Sequence, residues 1–132
     1  MTLEERANLG SQLKASGACN CTCAVLMAFQ DKLPLSEEDL RKISAGFAAG
    51  MGSMEGTCGA LIGAVMVAGF LTEGKGTPRY SREIMKKFQE SSKATICKDL
   101  KGVGRGCVLC ECPDCVKNAI LALGQTIPIE YE

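Results

Sequence analysis

Nine cysteines are present among the 132 residues of this chain, and there is no histidine. Because imidazole is absent, a metal held here has to be held by thiolate sulfur, and catalysis by a Cys–His pair is excluded. Four thiolates suit a zinc ion or an iron–sulfur cluster. An odd number of cysteines cannot all pair within one chain. The cysteine content therefore indicates metal or redox chemistry rather than a framework of disulfides.

Four of these cysteines fall at or near predicted helix N-termini: Cys21, Cys58, Cys97 and Cys112. Backbone N–H groups at a helix start lack intrahelical partners and favour negative charge, so they stabilise thiolates and anionic clusters. If the four helix starts meet, they form an anion site suited to a two-iron, two-sulfur cluster. The same surroundings would activate a redox dithiol, so the sequence leaves both interpretations open.

The remaining cysteines form two local groups. Cys107, Cys110 and Cys115, with Cys112 between them, make two Cys-x-x-Cys pairs that could hold zinc or iron at a second site. The pairs are closer together than in the usual zinc ribbon, and the alternative is a surface loop with incidental thiols. Cys19 and Cys23 lie on either side of Cys21 and could supply the attacking and resolving thiols of a redox pair.

Composition limits the class of protein. Fifteen basic residues balance fifteen acidic ones, so the chain has no electrostatic footprint for nucleic acid or an anionic membrane. The first residues carry Glu4, Glu5 and Arg6 and have no apolar core, unlike a secretory signal. The apolar run from Cys58 to Leu71 is shorter than the ~20 residues that a bilayer-spanning helix needs. We therefore expect a cytoplasmic protein whose thiols stay reduced.

The elements that must position the thiols are predicted to be helices. The run from Cys58 to Leu71 is apolar on every side, which is typical of a helix buried in a core. Thr57 is its expected N-cap residue. Glycine and alanine recur three or four residues apart along this run, which would let neighbouring helices approach closely and would also tolerate a homodimer contact.

Capping signals predict three helices before this central one. Thr2 and Glu5 form a capping box ahead of the first helix. Asn20 is a good N-cap residue for a second helix and Ser36 for a third. The second helix would then begin at Cys21.

The chain after the central helix predicts another long helix, a single turn at Cys97 and a last helix. The last helix is expected to have Cys112 as its N-cap residue and to end at Gly124. No segment shows the alternation of a strand. The sequence therefore predicts one all-α domain over residues 1–132, a compact bundle of five or six helices.

These motifs resemble the C_GCAxxG_C_C family of redox-active proteins. The resemblance covers about residues 17–123 and rests on Asn20-Cys21, Gly50-Met51-Gly52, Thr57-Cys58-Gly59-Ala60-Leu61-Ile62-Gly63, Cys97-Lys98-Asp99-Leu100 and Cys112-Pro113. It implies a small helical protein with four shared cysteines, which here would be Cys21, Cys58, Cys97 and Cys112. A related domain in split-Soret cytochromes carries a two-iron, two-sulfur cluster beside haems. This chain lacks the Cys-x-x-Cys-His haem attachment motif.

Three functions fit these observations. The first is an electron-transfer protein, an oxidoreductase if it is an enzyme, with an iron–sulfur cluster on the four helix-start cysteines and an unidentified redox partner protein. The second is a thiol–disulfide redox protein or sensor that uses Cys19, Cys21 and Cys23. The third is an interaction module built around a structural zinc ion. Nothing in the sequence resembles a hydrolase.

Overall fold

The computed structural model describes residues 1–129, and within them the regular structure is helical, with no named strand. Residues 1–129 contain seven α-helices: α1 Leu3–Ala15, α2 Cys21–Ala28, α3 Glu37–Ser44, α4 Gly59–Leu71, α5 Thr77–Ser92, α6 Cys97–Leu100 and α7 Cys112–Thr126. The all-α prediction is confirmed, but the predicted count of five or six helices was wrong. The turn at Cys97 closes with α-type hydrogen bonds and forms a helix of its own, α6.

Local capping chemistry sets the starts of the first three helices as predicted. Thr2 and Glu5 satisfy each other's backbone N–H groups in a capping box. Asn20 Oδ1 accepts the N–H of Cys23 at 2.8 Å, so α2 begins directly after Asn20. Ser36 caps α3 in the same way.

The central helix begins one residue later than the sequence predicts. Cys58, not Thr57, is the N-cap residue of α4. Thr57 is held instead in an isolated antiparallel β-bridge with Ile96. This pairing fixes Thr57 in an extended conformation and leaves Cys58 at the boundary of the helix.

The last helix also differs from its prediction at both ends. Its N-cap residue is Glu111, and Cys112 is already helical. Gly124 does not end α7, which continues to Thr126. A Cβ on Gly124 would lie 2.4 Å from Leu3 Cδ1. This glycine therefore serves the close contact between α1 and α7 rather than a helix stop.

Helix α4 packs against α2, α5 and α7, and α1 packs along α7. The expectation that α4 is buried on all sides was wrong for one face. Val67 and Ala68 are fully buried, but Val65 and Met66 are only half-buried and Phe70 is 44% exposed. Among residues 1–129, no helix combines the length and the apolar character needed to cross a membrane.

Two glycines of α4 allow α2 to approach closely, as the sequence predicts. A Cβ on Gly63 would lie 2.9 Å from the Thr22 carbonyl oxygen, and one on Gly59 would lie 2.6 Å from Thr22 Oγ1. Thr22 Oγ1 donates a hydrogen bond to the Gly59 carbonyl at 2.8 Å. The contact brings the start of α2, at Cys21, beside the start of α4, at Cys58.

Candidate metal centre

The starts of α2, α4, α6 and α7 meet around a cavity of about 210 Å³, which we call the thiol cavity. Each contributes one of the four cysteines that the sequence singles out: Cys21, Cys58, Cys97 and Cys112. Cys110, in the loop before α7, and Cys115, in its first turn, line the same cavity. Six thiols from distant parts of the chain are thus brought together.

The β-bridge between Thr57 and Ile96 places two of these cysteines side by side. The N–H of Cys58 donates to the Thr95 carbonyl at 2.7 Å, and the N–H of Cys97 donates to the Gly56 carbonyl at 3.0 Å. Sequence reasoning missed this link because it joins residues far apart in the chain through one bridge, with no strand pattern to predict it.

A left-handed turn at residues 49–52 forms another part of the wall. All four residues have φ between 53° and 78°, including the non-glycine residues Ala49 and Met51. This conformation costs about 1–2 kcal/mol for each non-glycine residue. A Cβ on Gly50 would lie 2.6 Å from Cys97 Cβ, so only glycine allows the turn to approach Cys97 this closely.

The segment before α7 folds back onto α6. The N–H groups of Leu109 and Cys110 both donate to the Leu100 carbonyl, at 2.9 and 3.2 Å. These bonds close the loop at residues 101–108 and bring Cys110 and Cys112 beside the turn that carries Cys97.

Cys21 and Cys112 form the first pair of interacting thiols. The hydrogen bond between them raises the pKa of Cys21 and lowers the pKa of Cys112 to about 6. One proton is therefore shared, with Cys112 as the thiolate. A thiolate is the form of cysteine that binds metals and attacks electrophiles.

Cys58 and Cys115 form the second pair. The hydrogen bond from the Cys115 thiol lowers the pKa of Cys58, and the nearby backbone N–H groups of Ala60 and Leu61 lower it further. The same bond, together with burial, raises the pKa of Cys115. The start of α4 thus favours a negative charge on Cys58, as expected for a helix N-terminus.

Two lysines add positive charge at the cavity. Lys14, in the last turn of α1, and Lys101, directly after α6, are both lining residues, and both lower the pKa of Cys112. Burial raises the pKa of Cys97, and the two lysines oppose that rise. Sequence reasoning missed both lysines. The signal for Lys101 was its position four residues after Cys97, which places the two on one face of a helical turn.

The proposed second site does not form a group separate from the thiol cavity. Cys110 and Cys115 line that cavity together with Cys112, whereas Cys107 is exposed and is not a lining residue. Among residues 1–129, no three His, Cys, Asp or Glu side chains are arranged to hold one metal ion. The six cavity thiols are distributed around its wall.

Cys19 and Cys23 lie outside the thiol cavity, in a pocket that also contains Arg41. Both are buried, at 6% and 2% exposure. Burial is the main cause that raises the pKa of Cys19 to about 11, and a hydrogen bond with Cys23 adds to it. The pair is thus close together and lies apart from the six cavity thiols.

Comparison with known proteins agrees with these features. A family model described as "Putative redox-active protein (C_GCAxxG_C_C)" matches residues 19–126. No curated protein and no solved structure matches the chain. The family match covers most of the chain, and the chain belongs to this redox-active family.

Proposed function

We propose that this protein holds an iron–sulfur cluster in the thiol cavity and transfers electrons through it. The observation that carries the proposal is that cysteines from α2, α4, α6 and α7 line one cavity of about 210 Å³. Cysteines that served only to fill the core would pack against other side chains and would not line a cavity. Membership of a redox-active family supports the same conclusion.

The donor set suits such a cluster. Every side chain at the cavity that could bind a soft metal is a thiol, and the chain has no histidine. Thiolates select iron–sulfur clusters, zinc and copper(I). The cavity is also larger than the ~150 Å³ that accommodates a benzene-sized ligand in a protein core.

The residues that would hold the cluster are Cys21, Cys112, Cys58 and Cys97. The first two thiols are hydrogen-bonded to each other, and the backbones of the second two are joined through the β-bridge. A cluster bound by these four residues would take up and release one electron at a time. The residues themselves hold it, exclude water and set the charge around it.

The charges at the cavity support an anionic group. An oxidised two-iron, two-sulfur cluster with four thiolates carries a net charge of about −2. Lys14 and Lys101 line the cavity, and the N–H groups at the start of α4 face Cys58. Positive charge and N–H donors near the sulfurs favour the reduced, more negative state and raise the reduction potential.

The distribution of the thiols favours a cluster over a single zinc ion. Zinc in a structural site needs four ligands around one point, with sulfur at ~2.3 Å from the metal. In residues 1–129, no three potential ligands are arranged in that way. Thiols spread around a cavity would suit a larger cluster better than one ion.

Purification without oxygen tests the proposal. We expect a brown protein with about two iron and two acid-labile sulfide ions per chain and an absorption spectrum that bleaches on reduction. One zinc per chain without sulfide would establish the structural zinc site instead. A metal-free protein after anaerobic reconstitution would also overturn the proposal.

Cys21 and Cys23, two positions apart in α2, provide a matched pair of variants. Cys21→Ser removes a proposed ligand, so we expect iron per chain to fall at least tenfold. Cys23→Ser removes a buried thiol of the same helix outside the cavity, so we expect iron content to be unchanged. Equal iron loss in both variants would contradict the proposed ligand set.

A further inference from the structure

We propose that Cys110 and Cys115 form a second redox site in the thiol cavity, a dithiol that exchanges with small disulfides. The inference rests on the proposed function, because a cluster on Cys21, Cys58, Cys97 and Cys112 leaves these two cavity thiols unligated. It adds a two-electron thiol couple to a one-electron centre. Neither the family match nor the sequence motif assigns this role.

The two thiols are close enough to react with each other. The Cys115 thiol contacts the sulfur of Cys110 as well as that of Cys58, and Cys115 Sγ donates to the Cys110 carbonyl oxygen at 3.6 Å. Cys115 is in the first turn of α7, and Cys110 is in the loop that leads into it. A bond between the two sulfurs therefore requires only a local adjustment of that loop.

Cys110 is suited to attack. It is half-buried, so part of its side chain stays open to a small disulfide from outside the protein. Asn118 Nδ2 donates a hydrogen bond to Cys110 Sγ at 3.7 Å, which holds that sulfur in position. The same amide nitrogen donates to the buried Ser92 Oγ at 2.9 Å, and this second bond fixes the amide in place.

Cys115 is suited to resolve the reaction. It is 2% exposed, whereas Cys110 is half-buried, so an external disulfide reaches Cys110 first. The Cys110 thiolate attacks one sulfur of the external disulfide R–S–S–R, forms a mixed disulfide and releases one thiolate. Cys115 then attacks Cys110 Sγ and releases the second. The protein loses two electrons and two protons, and the disulfide becomes two thiols.

The other cysteines outside the proposed ligand set do not combine an accessible sulfur with a buried sulfur in contact with it. Cys107 is exposed and does not line the thiol cavity. Cys19 and Cys23 contact each other, but both are buried, and burial raises the pKa of Cys19 to about 11, so we expect both to react slowly. Among the cysteines of residues 1–129 outside the proposed ligand set, Cys110 and Cys115 pair a half-buried sulfur with a buried one.

The test is disulfide mapping of the iron-loaded protein after anaerobic exposure to oxidised glutathione. Acid quenching, alkylation and peptide mass spectrometry then identify each bond. We expect one Cys110–Cys115 disulfide and the loss of two thiols per chain, with Cys19 and Cys23 still reduced. Cys115→Ser and Cys115→Ala should both stop at glutathione bound to Cys110, and Cys107→Ser should behave as the unaltered protein.

Three results would overturn the inference. They are a different internal disulfide, no loss of thiols, or a loss of iron in both Cys115 variants, which would make Cys115 a ligand. A protein without iron would instead show that the proposed function has failed. The same mapping in Cys112→Ser, which cannot form a Cys21–Cys112 bond, would then still test the dithiol.

Discussion

Helix α2 begins between two groups of thiols that differ in how they are built. Cys19 and Cys23 are four residues apart, one just before the N-cap residue of α2 and the other in its first turn, so the local chain brings them together. Cys21, between them in sequence, faces the thiol cavity, where its neighbours Cys58 and Cys112 come from other helices. One group is a local feature of the chain, and the other exists only in the folded protein.

The two groups also differ in charge. Burial and the neighbouring thiol raise the pKa of Cys19 to about 11, and Arg41 only partly opposes this rise. In the cavity, the hydrogen bond from Cys21, with Lys101 and Lys14 nearby, lowers the pKa of Cys112 to about 6. Several cysteines close together therefore do not by themselves make a reactive site. Hydrogen-bond donors and positive charges around a cysteine are what lower its pKa.

The largest expected effect comes from separating α2 and α4. Gly63→Ala places a Cβ 2.9 Å from the Thr22 carbonyl oxygen, a backbone atom that moves only with its helix. Overpacking costs about 1–3 kcal/mol, and alanine regains up to ~1 kcal/mol of helix propensity, so we expect a net loss of about 1–2 kcal/mol. Urea denaturation of the metal-free protein measures it, and iron uptake should fall in parallel.

Gly69→Ala is the matched control on the same helix. A Cβ at Gly69 would have no atom within 4 Å beyond its chain neighbours and the adjacent backbone of α4, so alanine should leave stability unchanged or raise it by up to ~1 kcal/mol. If both variants gained stability equally, the close contact between α2 and α4 would not be what holds the cavity together.

The difference in pKa between Cys112 and Cys19 predicts an effect of intermediate size, on the rate at which each thiol reacts in the metal-free protein. At pH 7.5 the thiolate fraction of Cys112 should exceed that of Cys19 by about 10³-fold. A thiolate of low pKa is intrinsically less nucleophilic, by about 10²-fold here, so we expect iodoacetamide to label Cys112 roughly ten times faster.

The pH profile has a definite direction for each thiol. Because only the thiolate reacts, the labelling rate of Cys112 should rise with a midpoint near pH 6, and that of Cys19 should keep rising toward about pH 11. Peptide mass spectrometry after short labelling pulses separates the two residues. Coincident midpoints would show that the two environments do not differ as described.

Local chemistry could be predicted from the sequence, and long-range contacts could not. The caps at Thr2, Asn20 and Ser36 depend on residues at most three positions apart, and all three were predicted. Thr57 failed as a cap because Ile96, far along the chain, holds it in a bridge. Gly124 has the sequence signature of a helix end, but its role is contact with Leu3.

The candidate site shows the same division between features that depend on local sequence and features that depend on long-range contacts. Helix-start signals singled out the cysteines, but the sequence did not reveal that Cys110 and Cys115 line the same cavity. That depends on the loop closing onto the Leu100 carbonyl, a contact with no local pattern. Nor did the sequence show that Lys14, at the end of the first helix, lies at the cavity.

The smallest predicted effect concerns the charge that distinguishes the cavity from the Cys19 pocket. Lys101→Gln removes a cation that acts on both Cys97 and Cys112, so the reduced centre loses more stabilisation than the oxidised one. A loss of about 1 kcal/mol corresponds to a reduction potential lower by about 40 mV for one electron. Redox titration followed by visible absorption measures this shift.

Lys98→Gln is the control, because Lys98 is also on α6 but is paired with Glu55, and we expect it to shift the reduction potential much less. High salt should shrink the Lys101 effect, because screening weakens the interaction of a half-exposed charge. Equal shifts in the two variants would mean that net charge, and not the position of Lys101 at the cavity, sets the potential.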